Sequence, residues 1–267
     1  MKRWPCVRPR SALRGRVRSI WIIAAALAVA VVAAACFPAT PPPPPPPPPA
    51  PTPPPPGSKL YLTFDDGPSG VYTQQILSVL QAKGVPATFF LVGQNAARHP
   101  GIVQQEHAAG KGIGNHSWDH QDLTTLPTPQ VRTELQSTSD EIAGLTGVTP
   151  TLWRPPFGAF NDTVTQIASS LGLSMRLWDV NPEDYTLPGV DTIVSRVVNA
   201  VTPDDIILMH DGSPGDDEDR SQTVAALPII IDTLRSVGYS FGSLVTTAGA
   251  SSAPTGPTGP AVPIGRE

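Results

Sequence analysis

The chain is 267 residues long, 40% hydrophobic and 15% charged, with a formal net charge of −4. It holds 34 prolines but only two cysteines, Cys6 and Cys36, both near the start. This excludes a disulfide framework and leaves room for one ordinary domain with extensions, stabilised by its own core.

Before that domain comes a leader. Lys2, Arg3, Arg8, Arg10, Arg14, Arg16 and Arg18 precede an unbroken apolar run from Ile20 to Ala35. The run is shorter than the roughly 20 residues of a spanning helix. Ala33-Ala34-Ala35 forms a small-residue cleavage site before Cys36. Residues 1–36 are therefore expected to be an export signal. The segment also resembles a bacterial lipoprotein signal, with Cys36 as the lipid-bearing residue and Ala33 where that pattern usually has Leu. The expected location is extracytoplasmic, secreted or anchored to the membrane through the N-terminal lipid or the signal itself. With the seven leader bases set aside, 11 Lys and Arg remain against 22 Asp and Glu. An acidic domain lacks the clustered bases that phosphate neutralisation needs, so no nucleic-acid partner is expected.

Residues 37–57 read as a proline-rich spacer. Pro41 to Pro56 is almost all proline, a polyproline II rod of roughly 50 Å at about 3.1 Å per residue. From residue 58 to 247, short apolar runs alternate with helix-like segments. Strands are predicted at Lys59–Phe64, Ala87–Val92, Gly112–Asn115, Thr151–Arg154, Leu173–Trp178, Ile206–Met209 and Tyr239–Leu244. Helices are predicted near Tyr72–Ala82, Pro100–Ala109, Pro129–Leu145, Asp162–Leu171, Asp191–Ala200 and Thr223–Val237. This alternation predicts an α/β fold, a distorted parallel (β/α) barrel of about seven strands in a single catalytic domain. Residues 248–267 are rich in Ala, Ser, Thr, Pro and Gly and read as a disordered tail.

The polar residues keep a common phase. Asp65-Asp66, His116, Arg154, the stretch from Asp179 to Asp184, and His210 all fall at or just past the C-terminal ends of successive strands. In a parallel barrel those ends share one face, where active sites form. Asp65 and Asp66 should point in different directions if the strand runs through them. His116 and His120 are four apart, so a helical turn would set them on one face. One carboxylate and two imidazoles can hold a divalent metal, leaving the second carboxylate to accept a proton from attacking water. Taken alone, Asp65-Asp66-Gly67-Pro68 also reads as a strand followed by a turn.

Five motifs together carry a family resemblance. Thr63-Phe64-Asp65-Asp66-Gly67-Pro68-Ser69, His116-Ser117-Trp118-Asp119-His120, Arg154-Pro155-Pro156-Phe157-Gly158, the stretch from Asp179 to Tyr185, and Leu208-Met209-His210-Asp211 stand in order. They resemble the five motifs of the polysaccharide deacetylases, carbohydrate esterase family 4, as a bacterial cell-envelope member. The resemblance implies that Asp66, His116 and His120 bind a metal, most often Zn2+, with Co2+, Ni2+ or Mn2+ as substitutes. It implies Asp65 as catalytic base held by Arg154, and the Phe157 amide as an oxyanion donor. His210 would be the general acid, paired with Asp184. Tyr185 and Leu208 would line the substrate pocket. Two departures stand out: Tyr185 where the fourth motif usually ends in Trp, and Asn181 where many members have Asp.

The function expected is metal-dependent removal of N-acetyl groups from N-acetylglucosamine glycans by a monomer. Peptidoglycan is favoured over chitin oligomers because of the leader and spacer. The rivals are an O-acetyl xylan esterase and an inactive glycan-binding lipoprotein. The acidic run from Asp216 to Asp219 is expected at the rim of the site. His99 and His107 are expected to have no role.

Overall fold

A computed structural model describes residues 53–216 and 218–245. The leader, most of the proline spacer and the tail lie outside the described residues. Seven strands are β1 (Lys59–Asp65), β2 (Thr88–Leu91), β3 (Gly112–Asn115), β4 (Leu152–Trp153), β5 (Ser174–Met175), β6 (Ile206–His210) and β7 (Ser240–Gly242). The α-helices are α1 (Tyr72–Lys83), α2 (Gly93–Arg98), α3 (Pro100–Ala108), α4 (Thr128–Thr146), α5 (Asp162–Ser170), α6 (Val190–Val198) and α7 (Ser221–Ser236). Among the described residues, no helix is long and apolar enough to cross a membrane.

All strand pairs are parallel, in the order β5-β4-β3-β2-β1-β6, with β7 beside the opening residues of β1. The barrel is distorted because β5 is too short to pair with β6. The chain just past it does so instead: Val180 bridges Ile207, and the Leu208 amide donates to the Val180 carbonyl at 2.9 Å. The expected barrel of about seven strands is thus present, with an irregular seam between its last two walls.

Strand alternation sorts the side chains into two layers. Leu60, Leu62 and Phe64 of β1, Phe89 and Leu91 of β2, and Ile207 and Met209 of β6 face outward. There they form one apolar cluster with Ile76 and Leu80 of α1, Ile193 and Val197 of α6, and Ile230 and Leu234 of α7. Tyr61, Phe90, Leu152 and Ile206 fill the interior as a separate cluster. The alternate phase that buries Leu62 and Phe64 outward sends Thr63 and Asp65 inward. Thr63 is fully buried and donates from Oγ1 to the Ile207 carbonyl at 2.8 Å.

Caps fix where the helices stop. Gly84, at φ 59°, ends α1 in the left-handed conformation that costs glycine little. Asn161 caps α5 by accepting the Val164 amide at 2.9 Å. The short helix α2 has no counterpart among the predicted elements. It begins at Gly93, where an added Cβ would lie 2.4 Å from the Trp118 ring. Glycine is required there because the Trp118 loop packs directly on the backbone.

Candidate active site

The site is built at the C-terminal mouth of the barrel. Register places Asp65 opposite His210 on the neighbouring strand, so both leave the sheet on the same face. His116 follows β3 directly, held by its amide to the Leu91 carbonyl at 2.9 Å. Arg154 follows β4, with its amide on the Asn115 carbonyl at 2.9 Å.

Two local expectations are corrected. The strand does not run through both aspartates: β1 stops at Asp65, and Asp66 turns back at φ 71°. Both carboxylates therefore lie near His116 Nε2 instead of diverging. Nor do His116 and His120 share a helical turn. The segment is an irregular loop in which Ser117 and His120 both have φ 63°. Left-handed backbone at these two residues folds the loop over, and the ring centroids come to 5.0 Å.

One ligand atom each from Asp66, His116 and His120 lies within 4.8 Å of the others. Asp66 Oδ1 is 3.3 Å from His116 Nε2 and 3.1 Å from His120 Nε2. The other nitrogen of His116, Nδ1, donates to the Arg154 carbonyl at 2.8 Å, which orients the ring with Nε2 toward Asp66. Asp66 Oδ1 is buried with no hydrogen-bond partner, which suits an oxygen that takes a cation. The donor set, two imidazoles and one carboxylate, is that of a transition-metal site with open positions. These residues therefore fit a divalent ion. Burial raises the Asp66 pKa, but His120 and His116 overcome this and hold the carboxyl well below its usual range.

Asp65 lies beside this set, its Oδ2 3.6 Å from His116 Nε2. Its other oxygen accepts from Arg154 Nη1 at 2.6 Å. Arg154 is itself fully buried and placed by four further contacts. It donates to Thr63 Oγ1 at 2.9 Å and to the Arg176 and Leu177 carbonyls at 3.0 Å each, and it stacks 4.2 Å from the Phe90 ring centre. Burial lowers the guanidinium pKa while Asp65 opposes the fall. The pair is a buried, charge-assisted bond whose oxygens are fixed in direction.

His210 stands across the cavity. Its Nδ1 meets Asp184 Oδ1 at 2.8 Å, and its amide donates to Asp184 Oδ2 at 2.9 Å. Thr223 Oγ1 on α7 donates to the same carboxylate at 2.6 Å. Burial disfavours the charged imidazole, yet Asp184 outweighs it and the His210 pKa is pushed up to about 9. The Asp184 carboxyl is lowered despite its burial, chiefly by His210.

A cavity of about 440 Å³ opens here, lined by Asp66, His120, Phe157, Tyr185, Leu187 and His210, with Pro214 and the stretch from Glu218 to Arg220 on the rim. Phe157 has φ 57° and Leu187 φ 53°, and both are exposed. Bulky residues held in left-handed backbone and exposed to water are costly, which is characteristic of binding surfaces. The Phe157 ring packs edge-on against His120 at 4.6 Å, and Tyr185 against His210 at 5.2 Å. Leu208 is on the same face of β6 as His210 but is not among the residues that line the cavity.

The acidic run is partly at the rim: Glu218 and Asp219 line the cavity, and Asp217 lies outside the described residues. Asp216 instead ties down the loop, meeting His99 Nε2 at 2.5 Å and accepting the Gly70 amide at 3.3 Å. His99, expected to be idle, is thus a tether. Sequence reasoning also missed Leu187, Pro214 and Arg220. Arg220 is buried and supports the rim by donating from Nε to the Gly212 carbonyl at 2.8 Å.

Behind the site is a strained acid pair. Glu106 and Asp211 are fully buried, and both Glu106 oxygens and Asp211 Oδ1 lack hydrogen-bond partners. Burial, then mutual repulsion, raises Glu106 well above its usual range; burial is also the main cause that pushes Asp211 up to about 7. A carboxyl with a raised folded pKa stabilises the fold only while protonated, so stability falls as pH climbs from the unfolded value of about 4.3 through the folded one. Glu106→Leu should therefore flatten that decline. At pH 7 it should stabilise the fold by about 1–3 kcal/mol, the cost of an unpaired buried polar group. In thermal melts across pH 5–8, that is a Tm rise of roughly 2–10 °C.

An Arg154-held carboxylate, a cluster that fits a divalent ion and a histidine paired with Asp184 meet at the barrel mouth, an arrangement suited to hydrolysis. Comparisons with known proteins give the family. The profile described as polysaccharide deacetylase matches residues 52–176. The chain is 38% identical to a chitooligosaccharide deacetylase of Rhizobium leguminosarum bv. trifolii, covering 69% of this chain and 89% of that one. It is 36% identical to the peptidoglycan-N-acetylglucosamine deacetylase PgdA of Listeria monocytogenes over 68% of this chain, but spans only 37% of that protein. A family 4 carbohydrate esterase from Streptomyces lividans, solved with acetate, superposes with TM-score 0.66 at 37% identity, covering 74% of this chain and 99% of that one. The chain belongs to the polysaccharide deacetylase family and is a hydrolase.

Proposed function

We propose that this protein removes N-acetyl groups from N-acetylglucosamine-containing glycans outside the cytoplasm, with Zn2+ held by Asp66, His116 and His120. The observation that carries the reading is the convergence of three ligand atoms within 4.8 Å beside a second, Arg-braced carboxylate. Co2+, Ni2+ or Mn2+ would suit the same ligands. When bound, the ion would polarise the acetyl carbonyl and make water acidic enough to attack at neutral pH.

The chain's own residues supply the rest. Asp65, oriented by Arg154, takes the proton from the attacking water. The Phe157 amide donates to the developing oxyanion. His210, held as the cation by Asp184, gives its proton to the sugar nitrogen as the C–N bond breaks. An amide anion is too basic to leave unprotonated. Acetate and a free glucosamine amine result. The exposed Phe157 and Leu187, with Tyr185, offer apolar surface to a sugar face. Tyr185 keeps an aromatic wall where Trp is usual.

Peptidoglycan is favoured over chitin oligomers because the basic leader, Cys36 and the proline-rich sequence from Pro41 to Pro56 suit a domain tethered at the membrane and facing a wall. Acetate release from peptidoglycan, chitin oligomers and acetylated xylan should be measured side by side with added Zn2+. Faster release from peptidoglycan supports the reading. Faster release from chitin oligomers changes the glycan, and release only from xylan transfers the activity to ester cleavage.

A further inference from the structure

The two histidines of the metal cluster are carried by different kinds of backbone. His116 sits at a strand end, with its amide in the β2–β3 ladder and its Nδ1 on the Arg154 carbonyl. His120 lies at the far end of a loop that belongs to no helix or strand. Such a loop has no internal ladder to hold its shape.

The loop is held from outside. Its Ser117 and Trp118 carbonyls accept the Gly93 and Gln94 amides, both at 2.9 Å, from the first turn of α2. Its amides are all taken by side chains. Ser117 donates to Asn115 Oδ1 at 2.9 Å, and His120 to Ser117 Oγ at 3.1 Å. The two between, Trp118 and Asp119, donate to a single atom, Glu134 Oε2 on α4, at 2.8 and 3.1 Å. Asn115 is anchored to the same helix through Leu135 O and Ser139 Oγ, at 2.7 and 2.9 Å.

We infer that Glu134 is a positioning residue for the metal site: its carboxylate clamps the Trp118 and Asp119 amides and so fixes the backbone that aims His120 at Asp66. Glu134 lies on α4, away from the strand ends that carry the motifs, and none of the five motifs includes it. Its role is to prepare the ligand before the ion arrives, as partners outside a metal's own ligands commonly do. What the clamp supplies is an acceptor, so an uncharged amide of the same length can replace it.

This inference rests on the metal assignment proposed above, and the test keeps the two apart. Full-length wild type, Glu134→Gln and Glu134→Ala are stripped of metal and titrated with Zn2+ by calorimetry, with thermal melts of the stripped proteins alongside. Glu134→Ala is expected to bind Zn2+ about 10–100-fold more weakly, the usual cost of losing such a partner. Glu134→Gln is expected within about threefold of wild type. Where the alanine variant does not fold, Glu134→Asp, whose carboxylate is one methylene short of the amides, is expected to show the same weakening. Equal affinity in the shortened variant and wild type overturns the inference. So does a Glu134→Gln variant as weak as Glu134→Ala. A wild type that takes up no Zn2+ overturns the metal assignment itself.

Discussion

Asp65→Asn should cut acetate release by about 10²–10⁴-fold, the range expected for removing a general base, while leaving bound metal unchanged. The substitution is nearly isosteric. Asn keeps an oxygen to accept from Arg154, which also stays tied to Thr63, Arg176 and Leu177. The Asp66, His116 and His120 ligand atoms are untouched. What disappears is the lone pair basic enough to take a proton. Metal analysis and acetate assays on the same sample read the two effects separately. Loss of metal in Asp65→Asn would contradict the division of labour between the adjacent aspartates. Asp66→Asn, by contrast, should lose the metal.

Asp184→Asn should give the second large loss, and with it a shift in pH dependence. Asp184 is the main reason that the His210 pKa rises to about 9 against burial. The raised value favours a protonated His210 at neutral pH, as the proposed general-acid role requires. Asp65 and Asp66 add to the rise, so a cation among them will bring His210 partly back down. Asp184 lies on the far side of the ring and is not offset in this way. Removing its charge leaves burial in command, and the alkaline limb of kcat/KM should move to lower pH. The rate at neutral pH should fall by about 10²–10⁴-fold. The same raised pKa has a stability consequence. The pair's contribution is fully present below the unfolded value of about 6.5 and is lost as pH rises through about 9. An alkaline limb that does not move in Asp184→Asn would remove Asp184 from this role.

Much of the frame was legible in the chain because burial is periodic. The alternation of Leu60, Leu62 and Phe64 announces β1, and the predicted Gly112–Asn115 strand has the bounds that the structure shows. The eleven-residue distance from Thr151 to Asp162 and similar spacings suit parallel crossovers. Strand ends also gave the site, since side chains at those ends must converge in a closed parallel sheet.

The rest depends on conformations that residue types disfavour. Asp66, Ser117, His120, Phe157 and Leu187 all have positive φ without being glycine. Period-based reasoning assumes ordinary backbone, so it sent Asp65 and Asp66 to opposite faces and wound His116 and His120 into a helical turn. Tertiary contacts meet the loop that carries Ser117 and His120: the Trp118 ring on Gly93, and the Glu134 carboxylate on two loop amides. Neither contact has a local sequence signature. Helix α2 was missed for a related reason, because it is only six residues long and starts at a glycine.

The most direct measurement is acetate release from N-acetylglucosamine oligomers by the full-length protein after a chelator has stripped it and the chelator has been removed. The account predicts no release from stripped protein and full recovery at about one equivalent of Zn2+. Undiminished release from protein verified to be free of metal would contradict it.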